Sequence, residues 1–475
     1  MSVITAARAG AQTPPAHAHD AQPTTASAQR LGTVDFPTSA SIAAQAKFNE
    51  GVLFLHSFEY ESARAAFREA RLRQPGFALA YWGEAQTYNH PVWNQQQPDS
   101  ARALLAQLGT TAAERAARAP TPRERAWLET IDLLYGEGSK PRRDTLYLQA
   151  MTRLAAAYPA DDEAQAFLAL AWLGLNQGER RVSDYMRAGA IAAQLMARKP
   201  DHPGAAHYVI HSFDDPEHAV LGLPAARAYS RIAPGAAHAQ HMTTHIFLAL
   251  GMWRENNAQN RIALDASNGL SGHYGEWLVY GLAQQGRFRE ARALLDSLTS
   301  RSAARRPLAM ALPIIRAEVA VAAGDWSQAR SASLLASLPN RGAAAVIGRM
   351  AESAEVAARG DTAAAIALLR RAQAAVDSMP VDFGPPATPL LVGEQLGALL
   401  LANGRAGEAQ RVVQETLRRA PGRSATLALL VRAAAANGDD AVADEARTAL
   451  AANWAQADDG GAALRALPAL RTVRK

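Results

Sequence analysis

Residues 48–85 read FNEGVLFLHSFEYESARAAFREARLRQPGFALAYWGEA, and this stretch decides the fold. Apolar residues recur at helical rather than alternating spacing in both of its halves. A short polar step, SFEYE, separates the first apolar run from the second. Gly51 and Ala63 are small enough to let two paired helices approach closely, and Phe67 is large enough to fill the gap to the next pair. Pro75 ends the second helix, because it lacks an N–H and clashes with the preceding turn. The reading is a helical hairpin followed by the start of another.

The same logic recurs downstream as a turn signature: Gly, a polar or basic residue, then Ala a few positions on. It appears at Gly286/Ala291, Gly324/Ala329, Gly360/Ala365, Gly404/Ala409 and Gly438/Ala443. The intervals run from roughly 34 to 44 residues, and the longest contains the proline-rich insertion MPVDFGPPATP. Together Gly51, Phe54, Ala63, Phe67, Ala70 and Pro75 resemble the small, aromatic and proline positions of the tetratricopeptide repeat. That resemblance implies an all-α fold, an α-α superhelical solenoid of stacked hairpins. Single hairpins cannot bury their apolar faces alone, so they must stack. The expected organisation is a disordered leader over 1–40, N-terminal repeats over 41–120 and an irregular helical region over 121–275. C-terminal repeats over 276–456 and a tail over 457–475 complete it.

Composition agrees. Hydrophobic residues make up 49% of 475, yet aromatics only 6%, and Ala, Leu, Arg, Glu and Gln favour helices over strands. The net charge of +5 is carried by scattered arginines rather than a stripe, which argues against nucleic acid as a partner. The chain has no Cys, so thiolate metal sites, Cys nucleophiles and disulfides are excluded. No apolar run has the length of a transmembrane span. In the leader, AARAGAQ is similar to the small-residue end of an export signal. An exported, periplasmic protein is the expectation, with the cytoplasm as the alternative.

Chemistry concentrates in the middle. Seven of the twelve histidines fall between His202 and His245. AAHYVIHSFDDP spaces His207 and His211 four apart, and AAHAQHMTTHIFLALGMW spaces His238, His241 and His245 three and then four apart. Those intervals return to one side of a helix, so each segment projects a column of imidazoles. Two facing columns are what a transition-metal centre needs. Crowded imidazoliums would otherwise repel one another.

His56, ending the first helix, and His90, in TYNHPVW, are candidate further ligands, with Trp93 as a cover. Asp214 is either an oxygen ligand or a partner that orients a histidine, while Asp215 reads as a helix cap. His202 reads as an exposed turn residue, and His218 and His273 as weaker candidates. His17 and His19 belong to the leader.

Neither column forms H-E-x-x-H or the Glu-x-x-His pair of di-iron bundles. There is no Walker loop and no G-x-S-x-G elbow. Imidazole ligands suit copper, zinc or iron, and spacing does not select among them.

FPTSA, FLHSFEYESARAAFREA, AYWGEAQTYNHPVW and residues 205–253 together resemble a group of bacterial, histidine-rich tetratricopeptide-repeat proteins. The resemblance implies that His56, His90, His207, His211, His238, His241 and His245 belong to one signature. It carries over no activity and leaves the catalytic residues unknown. The expected function is a solenoid with a histidine-lined metal centre supporting redox or hydrolytic chemistry. The alternative is an adaptor binding a protein or peptide in a concave groove lined by Arg, Asn and Lys, its histidines structural.

Overall fold

The computed structural model describes residues 31–175, 180–269, 271–301, 341–379 and 391–468, and five single positions between 312 and 331. His17, His19, the repeat at Gly324/Ala329, most of the proline-rich insertion and the end of the tail lie outside the described residues.

The chain is an α-solenoid. The first hairpin forms as its residues require: α1 (Ile42–His56) and α2 (Tyr60–Arg73) pack side by side, followed by α3 (Ala78–Gln86). Ser41 caps α1 by accepting the Ala44 N–H. The Phe67 ring fills the space between α1 and α3 so closely that a Cβ at Gly51 or Gly83 would lie 2.7 or 2.4 Å from it. The only strands among the described residues are a two-residue pair, Asn89–His90 antiparallel to Gln95–Gln96. It frames a turn carrying Trp93.

Helices then stack in order, each against its neighbour: α4 (Pro98–Leu108), α5 (Ala112–Ala117), α6 (Pro122–Leu134), α7 (Lys140–Ala157), α8 (Asp162–Gly174) and α9 (Val182–Arg198). The series continues through α10 (Pro203–Phe213), α11 (Ala219–Ile232), α12 (Ala237–Ala249), α13 (Trp253–Ala266), α14 (Gly272–Gln284) and α15 (Phe288–Arg301). After the next described segment come α16 (Arg341–Ala358), α17 (Thr362–Asp377), α18 (Val392–Ala402), α19 (Ala406–Arg419), α20 (Ser424–Asn437) and α21 (Asp440–Asn453). No helix among the described residues is long and apolar enough to cross a membrane.

One hydrophobic core runs from Leu31 to Ala249, and smaller ones serve the later repeats. Two folding-back contacts matter for the site. The superhelix curls enough for α1 to meet α10. The start of α13 and the end of α14 also meet the C-terminal hairpins: Trp253 Nε1 donates to the Gly422 carbonyl at 2.8 Å, and Ser424 N to Gln284 Oε1 at 2.9 Å.

The leader assignment needs correction at its end. Leu31 and Phe36 are fully buried, and Phe36 packs among Phe48, Trp82 and Trp127. Ser39 is held by Glu124, and Arg123 donates to the Pro37 carbonyl. The surrounding Thr, Pro and Ser residues disguised two anchors that long-range packing uses.

Candidate metal centre

The imidazole columns lie on α10 and α12, which contact each other directly. These two helices, unlike their neighbours, are buried around their whole circumference. A helix with no solvent face must place its polar side chains inside, and here they meet. His207 and His238 approach Nε2 to Nε2 at 3.2 Å, and His241 and His245 at 3.3 Å.

The outward nitrogens explain this orientation. His207 Nδ1 lies 2.6 Å from the His56 carbonyl oxygen, which can only accept, so the proton sits on Nδ1. His245 Nδ1 lies 2.9 Å from Asp214 Oδ2. His241 Nδ1 lies 2.8 Å from Asn260 Oδ1, and Asn260 Nδ2 donates to Asn256, which fixes that amide's orientation. Three rings are thus locked as Nδ1–H tautomers with Nε2 lone pairs facing inward. Oxygen partners hold metal-ligating histidines in the same way.

Asp214 organises this layer. It is fully buried; burial alone would raise its pKa, but Arg180, His211 and His245 hold it well below the usual carboxylate range. The Arg180 guanidinium pairs with Asp214 Oδ1, donates to the His211 and Ser212 carbonyls, and stacks on Tyr185. Burial also pushes His245 down to about 4, against the upward pull of Asp214, and holds His207 well below its usual value. Both rings are neutral at pH 7.

Six histidines sort into two triads whose ligand atoms lie within 4.8 Å of one another: His207, His211 and His238, then His241, His245 and His273. His273, on α14, completes the second triad, with its ring 4.6 Å from that of His241. Aromatic rings wall the layer. Phe58 packs on His207, His211 and His238, and Trp277 on His241, His245 and His273. Phe58 adopts a left-handed φ of 54°, a costly conformation for a bulky residue, and its ring lies on the imidazoles. The Trp93 ring meets that of His238 edge-on, with centroids 6.0 Å apart.

Three placements differ from expectation. The His56 side chain turns away from the layer to Glu163 and Tyr208, at 2.7 and 2.9 Å, and only its carbonyl serves the site. His90 stacks on Tyr60 at 3.9 Å and bonds the Thr87 carbonyl, because the 3-10 turn at Pro91 directs it there. His202 is buried rather than exposed: its Nδ1 caps α10 by accepting the Ala205 N–H, so its Nε2–H donates to Glu163. In His56 and His202 both ring nitrogens are therefore engaged in hydrogen bonds, although the ligand atoms of His56, Glu163 and His202 also lie within 4.8 Å of one another. Asp215 caps the following turn by accepting from Glu217 and His218, as expected.

No protein-family profile and no curated protein matches the chain. Solved structures do. The P58(IPK) TPR domain aligns over 89% of this chain and 95% of that one, at 11% identity and TM-score 0.24. The Cut9–Hcn1 APC/C hetero-tetramer aligns over 91% of this chain and 78% of that one, at 12% identity and TM-score 0.36. Yeast Tom70 aligns over 89% and 87%, at 8% identity and TM-score 0.31. A Rap protein complexed with Competence and Sporulation Factor aligns over 80% and 100%, at 12% identity and TM-score 0.36.

Proposed function

We propose that this solenoid binds transition-metal ions in the histidine layer between α10, α12 and α14. The observation that carries the proposal is the His241–His245 pair. Both Nδ1 atoms lie against oxygen acceptors, and the two Nε2 atoms face each other at 3.3 Å. Two neutral imidazole nitrogens converging in this way are the arrangement that a transition-metal ion needs for ligation. An ion about 2.0–2.1 Å from each nitrogen would see them at an angle of about 105°, close to tetrahedral. His273 offers a third imidazole, and a fourth position is left for an exogenous ligand, the pattern of a reactive rather than a purely structural site.

Elemental analysis of untagged protein, purified and then offered copper, zinc or iron, tests this. At least about one equivalent that resists dialysis is expected, and less than about a tenth of an equivalent would refute it.

A second reading concerns the C-terminal hairpins. All twelve histidines precede residue 274, so the stacked helices from α16 to α21 take no part in the layer. Stacked hairpins build extended surfaces suited to a protein or peptide ligand. Pull-down with residues 341–468 presented in the full chain, with and without bound metal, tests it. Recovery of no partner under either condition would count against the adaptor role.

A further inference from the structure

We propose that the two histidine triads form one binuclear centre, joined through Asp214, that takes a small anion between its two ions. This rests on the metal-binding reading above and deepens it. The triads are not separate sites that happen to be near. His211 of the first and His245 of the second address the same oxygen, Asp214 Oδ2, at 3.4 and 2.9 Å. Their rings meet edge-on with centroids 5.5 Å apart. His238 of the first and His241 of the second are neighbours on α12, with centroids 6.4 Å apart. The two ligand sets therefore share α12, the first taking its other ligands from α10 and the second from α14.

Two further observations point to a ligand. His211 is only 2% exposed, yet its Nε2 has no hydrogen-bond partner. A buried imidazole nitrogen left so is costly unless something else occupies it. Charge provides the second argument. Two divalent ions held by neutral imidazoles would bring four positive charges into a buried layer. Asp214, the carboxylate that His211 and His245 share, is already paired with Arg180, and Glu59, which accepts from the His238 N–H at 3.4 Å, supplies at most one further negative charge. Uncompensated charge in such surroundings is strongly disfavoured, so the loaded centre needs an added anion. The Phe58 and Trp277 rings wall the layer, so the anion proposed is a small one, of the class of hydroxide or azide. Placed between the ions, it neutralises both at once, and a hydroxide there would be formed from water whose pKa the ions lower.

The test uses the full chain loaded with Cu(II) and titrated with azide. The expected result is two coppers per chain with an integrated electron-spin signal well below two spins, because a bridged pair couples. One azide per two coppers should then saturate a new charge-transfer absorption. Two coppers giving two full spins, or one azide per copper, would overturn the binuclear centre while leaving metal binding intact. One copper per chain would overturn it likewise, whereas no copper would overturn the metal reading itself. His273→Ala, at the half-buried rim of the second triad, should retain one copper with a full single-spin signal. A coupled pair persisting in that variant would also overturn the proposal.

Discussion

Removing the Arg180 guanidinium tests whether Asp214 is the fixed point of the site. Arg180 is 3% exposed at its side chain and Asp214 is fully buried, so water offers neither a substitute partner. Arg180→Met keeps the aliphatic stem and much of the packing on Tyr185. It strips the carboxylate of its cation and leaves the His211 and Ser212 carbonyls without that donor. Breaking a buried ion pair from one side typically costs about 3–5 kcal/mol, since the remaining charge is left uncompensated. Urea titration of metal-free protein should show a loss of that order. Adding Asp214→Asn removes the orphaned charge and should restore about 0.5–3 kcal/mol, a non-additive recovery. Metal affinity should fall about 10–100-fold in Arg180→Met, because His245 loses a fixed acceptor. A single-variant cost below about 1 kcal/mol, the range of solvent-exposed pairs, would refute the reasoning.

Phe67→Ala empties the gap that Gly51 and Gly83 shape around the ring, and it should cost about 3–5 kcal/mol in urea titration. Gly83→Ala should cost about 1–3 kcal/mol by overpacking the same ring, and a stabilising effect would contradict the close approach. Gly251 has a φ of +67°, and a Cβ there would lie 2.2 Å from the Pro421 carbonyl oxygen. Gly251→Ala should loosen the contact with the C-terminal hairpins, read as faster proteolysis around residue 421; unchanged cleavage would contradict that closure.

Stability of the metal-free chain should also depend on pH. His245 and His207 are depressed by burial, and in the unfolded chain both protonate near about pH 6.5. Their contribution is therefore complete above that value and is lost as pH falls toward about 4. Glu59, which burial pushes up to about 7, works in the opposite direction by gaining from its proton. His245→Gln should show a shallower loss between about pH 7 and 5 than wild type, and parallel urea midpoints would contradict this.

The first hairpin was legible because every local signal in residues 48–85 agrees: period, small residues, the aromatic filler and the proline stop. The columns on α10 and α12 were legible because helical spacing alone aligns them. What orients them was not. Arg180 and Asn260 reach the layer from other helices or loops, and no periodicity marks them. His273 stands alone on α14 in a Gly-rich stretch, so spacing carried no sign that it joins His241. His56 and His90 illustrate the opposite failure: a helix-end histidine near an imidazole column in sequence pattern still chooses its partner in three dimensions. Glu163 and Tyr208 supply that partner for His56. At the leader's end, Leu31 and Phe36 were single apolar residues in polar surroundings, and only tertiary packing reveals them as anchors.

The most direct measurement is anomalous scattering from crystals of metal-loaded protein, collected at the absorption edge of the bound ion. The account predicts density about 2.0–2.1 Å from the Nε2 atoms of both His241 and His245, with His273 completing the set. It predicts a second peak among His207, His211 and His238. Peaks confined to surface residues, or to His56, Glu163 and His202, would contradict it.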